Sequence, residues 1–202
     1  MRNKQFAMDR LVLGTFQLGV DYGIANKLGK PDLRGALDIV SAAWEGGIRQ
    51  FDTAQIYGNS ESVLGEVLSS LGVSHEAKVF TKLHPDTNHL DKTTVRESVE
   101  RSIKELKISR LHCLMVHNED CLDLLNKGLS EILNELKKDG LIENLGVSVY
   151  APFRALQALN SSLFNMVQVP SNILDRRFEK AGVFDLGSKL QKKVHVRSIF
   201  LQ

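Results

Sequence analysis

Along the chain, short apolar runs alternate with longer segments whose apolar residues recur every three or four positions. The runs are LVLGTF (11–16), GIRQFDTA (47–54), AKVFTKL (77–83), LHCLMVH (111–117), ENLGVSV (143–149), FNMVQV (164–169) and VHVRSIFL (194–201). Their shortness and their β-branched and aromatic content predict buried parallel strands. The segments between them predict helices. Asp32 can cap one that buries Leu33, Ala36, Leu37 and Val40 and stops at Gly46 and Gly47. Ser60 precedes a second, with Val63, Leu64, Val67 and Leu68 on one face. Asp91 or Thr93 opens a third, carrying Val95, Val99, Ile103 and Leu106 at helical spacing. LSEILNELKKDG closes a fourth on Lys137, Lys138 and Gly140, and Pro152 suits the first turn of a fifth, PFRALQALN. A sixth covers 178–192, across Gly182 and Gly187, and the polar, glycine-rich stretch 18–31 is expected as a hairpin or cover beside the first strand.

Strict alternation of strand and helix means a parallel sheet with helices outside it. Two architectures fit: an open doubly wound sheet, or a closed barrel of eight βα units. The glycines favour the barrel. A dinucleotide-binding open sheet places GxGxxG between its first strand and a helix, whereas LVLGTFQLGVDYG has another spacing and is not expected to run directly into a helix. No linker or low-complexity segment interrupts the 202 residues, a length suited to one domain spanning 1–202. With 43% hydrophobic and 25% charged residues the chain has the composition of a soluble globular protein. A net charge of +2 without a basic cluster gives no support for nucleic acid as a partner, and Lys189, Lys192 and Lys193 are expected on a solvated face. Cys113 and Cys121 match neither a metal spacing nor CxxC, and Cys113, inside an apolar run, is expected in the core. With no signal-peptide pattern and no membrane-length run, a cytoplasmic protein is expected.

In a barrel, catalytic groups gather at the carboxyl ends of several strands, and here those ends are polar. Asp52 closes the second run with Tyr57 just beyond; Lys82 ends the third and His117 the fourth. Ser148, Gln168, Arg197 and Ser198 follow on the fifth, sixth and seventh. A lysine within an apolar strand needs a partner, and Asp52 on the neighbouring strand can supply it. This set suits protonation of a carbonyl oxygen. A free tyrosine, with a pKa near ~10, is a poor acid at neutral pH. An adjacent ammonium favours phenolate and eases proton release, while His117 could hold the substrate oxygen. Side chains supply no hydride, so the reductant must be a bound cofactor. Taken singly each residue has an ordinary role: the aspartate a turn, the tyrosine packing, the lysine a snorkelling edge, the histidine a core bond. The case is their joint placement at three consecutive strand ends. Of the other histidines, His75 and His89 are expected in solvent, His112 and His195 lie early in their strands, and His84 is a weaker candidate for substrate contact. No histidine or acid spacing points to a metal.

FDTAQIYG, FTKL, LMVHNED, GVSVY and VQVPSNILDRR together resemble the motifs of the aldo-keto reductase family, and the resemblance runs from residue 11 to 202. It implies a (β/α)8 barrel with an N-terminal hairpin and NADPH-dependent reduction of an aldehyde or ketone without a metal. It makes Tyr57 the general acid, Lys82 the residue that lowers its pKa, Asp52 the paired carboxylate beside the cofactor, and His117 the group orienting the carbonyl. Ser148 and Gln168 match side chains that bind the nicotinamide carboxamide, and Ser198 falls in a region that neighbours the cofactor. Val149 stands where many members have asparagine. Arg197 stands where many have an aromatic ring stacked on the nicotinamide, a task a guanidinium plane can also perform. Members continue past the position of Gln202 with a pyrophosphate loop, an eighth βα unit and a 2′-phosphate site. The expected fold is therefore an incomplete barrel of about seven strands, its first and seventh strands left as edges. The alternatives are a non-catalytic binding or regulatory relative, and, more weakly, a lyase or isomerase on another barrel, for which no phosphate or metal site is present. Natural substrate, oligomeric state and choice between NADPH and NADH stay open.

Overall fold

The computed structural model describes residues 8, 10–23 and 26–200. Seven strands lie parallel in chain order in one sheet. They are β1 (Val12–Gly14), β2 (Gln50–Asp52), β3 (Lys78–Lys82), β4 (Leu111–Val116), β5 (Ile142–Ser148), β6 (Met166–Pro170) and β7 (Lys193–Arg197). Between them run α1 (Phe16–Gly19), α2 (Leu33–Glu45), α3 (Ser60–Ser70), α4 (Lys92–Leu106), a 3-10 helix (Glu119–Lys127), α5 (Leu129–Lys138), α6 (Pro152–Asn160), α7 (Arg177–Lys180) and α8 (Val183–Lys189). The sheet curls strongly: the Phe80 ring on β3 lies 4.9 Å from His195 on β7. Among the described residues β1 pairs only with β2 and β7 only with β6, so the barrel is open between them.

Strand alternation sorts the side chains into two cores. Leu13, Phe51, Val79, Leu114, Val147, Val167 and Val194 point outward into the layer of helices. Phe80, Cys113, Met115 and Met166, with Val12, fill the inside. The helices are held by local chemistry as predicted. Asp32 accepts from the Gly35 N–H at 2.8 Å, Asp91 from the Thr94 N–H at 3.1 Å, and Pro152 opens α6. Gly140, at φ 76°, turns the chain after α5.

Several expectations need correcting. Ser60 begins its helix rather than preceding it, because its buried hydroxyl is drawn inward to the Thr15 carbonyl at 2.7 Å. Leu33 is 53% exposed, as the apolar stripe of α2 begins with Ala36. A one-turn helix, α1, does follow β1 directly, and the described residues of 18–31 contain no strand. The hairpin implied ahead of β1 lies mostly outside the described residues. The last helical segment is two helices, because Gly182 adopts φ 75° between them. The 3-10 segment carries no sustained period and was missed. His89 is 7% exposed rather than solvated, and Lys192 turns its amine back to the Ser161 carbonyl. No described helix is long and apolar enough to cross a membrane.

Candidate active site

The strand alternation that builds the inner core also places the polar residues at its mouth. Two residues along each strand from Gln50, Phe80, Gly146, Met166 and His195 stand Asp52, Lys82, Ser148, Gln168 and Arg197. Lys82 is 1% exposed, yet its ammonium donates to both Asp52 oxygens at 2.8 Å and to the Thr53 carbonyl at 2.9 Å. Several acceptors thus surround the ammonium, as burial of a charge requires. Gln168 donates through Nε2 to Asp52 Oδ1 at 3.1 Å, closing β2 against β6. Its Oε1 is buried without a partner.

Tyr57 reaches this pair from the loop after β2. The Gln55 N–H donates to the Lys82 carbonyl at 3.2 Å and the Ser60 N–H to the Tyr57 carbonyl at 3.0 Å. Gly19 lets α1 press against the loop, since a Cβ there would lie 1.6 Å from the Tyr57 carbonyl oxygen. The phenol ring packs edge-on against Phe16 at 4.4 Å and against His117 at 6.0 Å, and Lys82 Nζ is 5.2 Å from its centroid. Burial pushes the Tyr57 pKa up; Lys82, through its charge and a hydrogen bond, pulls it down without overcoming burial. The expected net lowering is therefore not what the structure gives: the lysine acts as expected, but desolvation is larger, and the phenol stays protonated. Burial, and then the Lys82 charge, pull His117 down to about 4. A neutral imidazole results, with Nδ1 buried and unpartnered.

Ser148 is 2% exposed and lies in register with Gln168. Arg197 faces Tyr150, its guanidinium carbon 4.2 Å from the ring centroid, and its Nη2 is buried without a partner. Ser198 sits one residue on in left-handed backbone, at φ 60°, where Asn172 donates to its carbonyl at 3.2 Å. Among the described residues no hydrogen bond joins its side chain to the others. His84 turns Nδ1 to its own loop, where it accepts from the Asp86 N–H at 3.2 Å.

A supporting layer escaped sequence reading. Gln55 accepts from the His84 N–H at 2.7 Å and the Ser98 hydroxyl at 2.9 Å, and donates to the Ser102 hydroxyl at 2.9 Å. Buried Glu61 accepts from Thr81 at 2.6 Å and Ser102 at 3.2 Å, and burial raises its pKa. These bonds lock the tyrosine loop to β3 and α4. Both residues lie within FDTAQIYGNSE, but the partners that give them meaning lie 20 to 47 residues away, on and just after β3 and on α4.

This arrangement matches a known class. The aldo/keto reductase family model matches residues 10–201, and the chain belongs to that family. The aldo-keto reductase YhdN of Bacillus subtilis is 28% identical over 185 residues, covering 85% of this chain and 53% of that protein. The NADH-specific methylglyoxal reductase of Escherichia coli is 28% identical over 192 residues, covering 85% and 58%. The glycerol dehydrogenase AKR11B4 of Gluconobacter oxydans superposes with a TM-score of 0.71 at 26% identity, over 94% of this chain and 59% of that one. The chain spans about half the length of the curated relatives it matches.

Proposed function

We propose that this chain carries the reaction centre of an NADPH-dependent carbonyl reductase acting on a small aldehyde or ketone. The observation that carries the reading is the buried Lys82 ammonium, fixed by Asp52 and facing the Tyr57 ring, with His117 alongside. Such a pair costs desolvation energy that apolar residues would not, so it is better explained by chemistry than by stability. The family implies a nicotinamide cofactor, and the orphaned Gln168 Oε1 beside buried Ser148 fits the donor of a carboxamide. When bound, that cofactor supplies the hydride. Asp52, Gln168, Ser148, Arg197 and Ser198 would hold it. A silkworm aldo-keto reductase of the same fold is described in complex with NADP, while one relative is named as NADH-specific; the preference for NADPH is part of the proposal.

The protein's own task is the proton. Burial keeps the Tyr57 phenol protonated, so it is a donor by default. As negative charge develops on the substrate oxygen, the proton leaves Tyr57, and the phenolate left behind is met by the Lys82 cation. Neutral His117 donates a hydrogen bond to the same oxygen and orients the carbonyl. The intact group favours an enzyme over a purely binding relative.

Cofactor fluorescence on titration with NADPH, followed by turnover of 4-nitrobenzaldehyde, tests this. Tyr57→Phe should keep cofactor binding and lose roughly 100-fold or more in turnover. Undiminished turnover in that variant would remove Tyr57 as the proton donor.

A further inference from the structure

Helix α6 starts on an N-cap, Ala151, whose side chain has no acceptor to offer. The acceptor comes instead from the first residue of the 3-10 helix after β4. Glu119 Oε2 accepts from the Tyr150 N–H at 2.7 Å and from the Ala151 N–H at 3.1 Å, across 31 and 32 positions of chain. A serine or aspartate at position 151 could cap the helix locally, so helix stability alone does not call for this carboxylate. What a remote acceptor adds is a tie between two loops of the mouth. Glu119 stands two residues after His117, and Asn118 between them holds its own turn, its Oδ1 accepting from the Asp120 N–H at 3.0 Å. Tyr150 stands two residues after Ser148, and Val149 between them donates to the Gln168 carbonyl at 2.9 Å. Each short span is therefore pinned in its backbone, and the carboxylate joins one to the other. The Tyr150 ring in turn lies 4.2 Å from the guanidinium carbon of Arg197 on β7. Four residues farther along the 3-10 helix, exposed Asp123 accepts from Arg154 at 2.7 and 2.8 Å, a second bond between the same two helices.

We propose that Glu119 is a positioning residue, which fixes the loop carrying Ser148 and Tyr150 against the loop carrying His117. It thereby sets the group that orients the carbonyl relative to the residues that face the cofactor. This rests on the carbonyl-reductase reading and adds to it the side chain that keeps the two loops in register. A carboxylate oxygen receiving two N–H groups makes charge-assisted bonds, and a shift of about 1 Å between reacting groups can cost roughly 100-fold in rate.

The test compares wild type with Glu119→Ala, Glu119→Gln and Asp123→Ala. It reads kcat and KM for 4-nitrobenzaldehyde, and amide exchange of Tyr150 and Ala151 by NMR. Glu119→Ala should speed exchange at both amides about tenfold to hundredfold, as loss of a bond to a charged group does. Its kcat should fall roughly tenfold or more, with KM moving less. Glu119→Gln, whose amide oxygen still accepts, should recover most of kcat. Asp123→Ala loosens the same helix contact from outside and should keep kcat within about twofold, as expected for an exposed ion pair. An equal fall in Asp123→Ala would reduce Glu119 to ordinary packing between helices and overturn the proposal. Unchanged kcat in Glu119→Ala overturns it too, as does a Glu119→Gln variant as slow as Glu119→Ala. If Glu119→Ala does not fold, Glu119→Asp, charged but shorter by a methylene, replaces it with the same expected losses. Should wild type neither bind NADPH nor reduce the aldehyde, the reductase reading has failed, and NMR alone decides the tie. Broadened His117 and Ser148 signals in Glu119→Ala, but not in Asp123→Ala, uphold it; signals like those of wild type end it.

Discussion

His117 and His195 are both held down to about 4 from the ordinary 6.5, with burial the leading cause in each. The folded protein therefore takes up protons on these rings less readily than the unfolded chain. The stability each contributes is fully present above about 6.5 and is lost as pH falls toward 4. Allowing for their partial contact with solvent, each should account for about 1 kcal/mol between pH 7 and pH 5. Urea midpoints at the two pH values test this: wild type should weaken on acidification, and His195→Gln should weaken less. A wild type equally stable at both would show that these imidazoles are solvated. At this scale the residues legible in the sequence were those that interrupt an apolar run, as Asp52 and Lys82 do. Glu61 was not legible, because an acid in the first turn of a helix has the same surroundings in sequence whether it meets water or Thr81. His89 was hidden for a similar reason: a polar loop does not reveal which of its members folds inward.

The pairing of α3 with α4 brings the backbones of two helices together. A Cβ on Gly65 would lie 2.1 Å from the Glu105 carbonyl oxygen and 2.6 Å from the Leu106 carbonyl carbon, both backbone atoms that cannot swing aside. Gly65→Ala must therefore push the helices apart, at a cost of roughly 1–3 kcal/mol. The same displacement would lengthen the Ser102 to Glu61 bond, now 3.2 Å, that braces the tyrosine loop. We expect a lower urea midpoint together with slower carbonyl turnover; a midpoint equal to wild type would mean the helices have slack that this packing does not show. The sequence revealed these helices through periodicity and caps, and Asp32, Asp91 and Pro152 each stand where predicted. It failed where backbone conformation rather than burial decides. Gly182 in left-handed geometry splits one helix into two, and the 3-10 segment after β4 packs only Cys121 and Leu122 fully inward, too few to mark a period.

For the molecule as a whole, the alternation of strands and helices narrowed the fold to an open parallel sheet or a barrel and the glycine spacing favoured the barrel, but the curvature comes from contacts that sequence does not display. Gln168 reaches Asp52 and Phe80 reaches His195 across the interior, pulling β2 toward β6 and β3 toward β7. The open side then sets a gradient of stability. β4 is bonded on both flanks and its residues from Cys113 to Val116 are buried. β7 is bonded only to β6, and its residues from Val194 to Arg197 are half-buried. In a parallel strand successive N–H groups point to opposite neighbours, so every second amide of β7 has no strand to receive it. Hydrogen exchange followed by NMR should show alternate β7 amides exchanging about 100-fold or more faster than those of β4. Protection of β7 that rises with protein concentration would mean that edges pair between copies. Uniform protection equal to that of β4 in dilute protein would mean that the edge is covered within one molecule, contrary to the open barrel described.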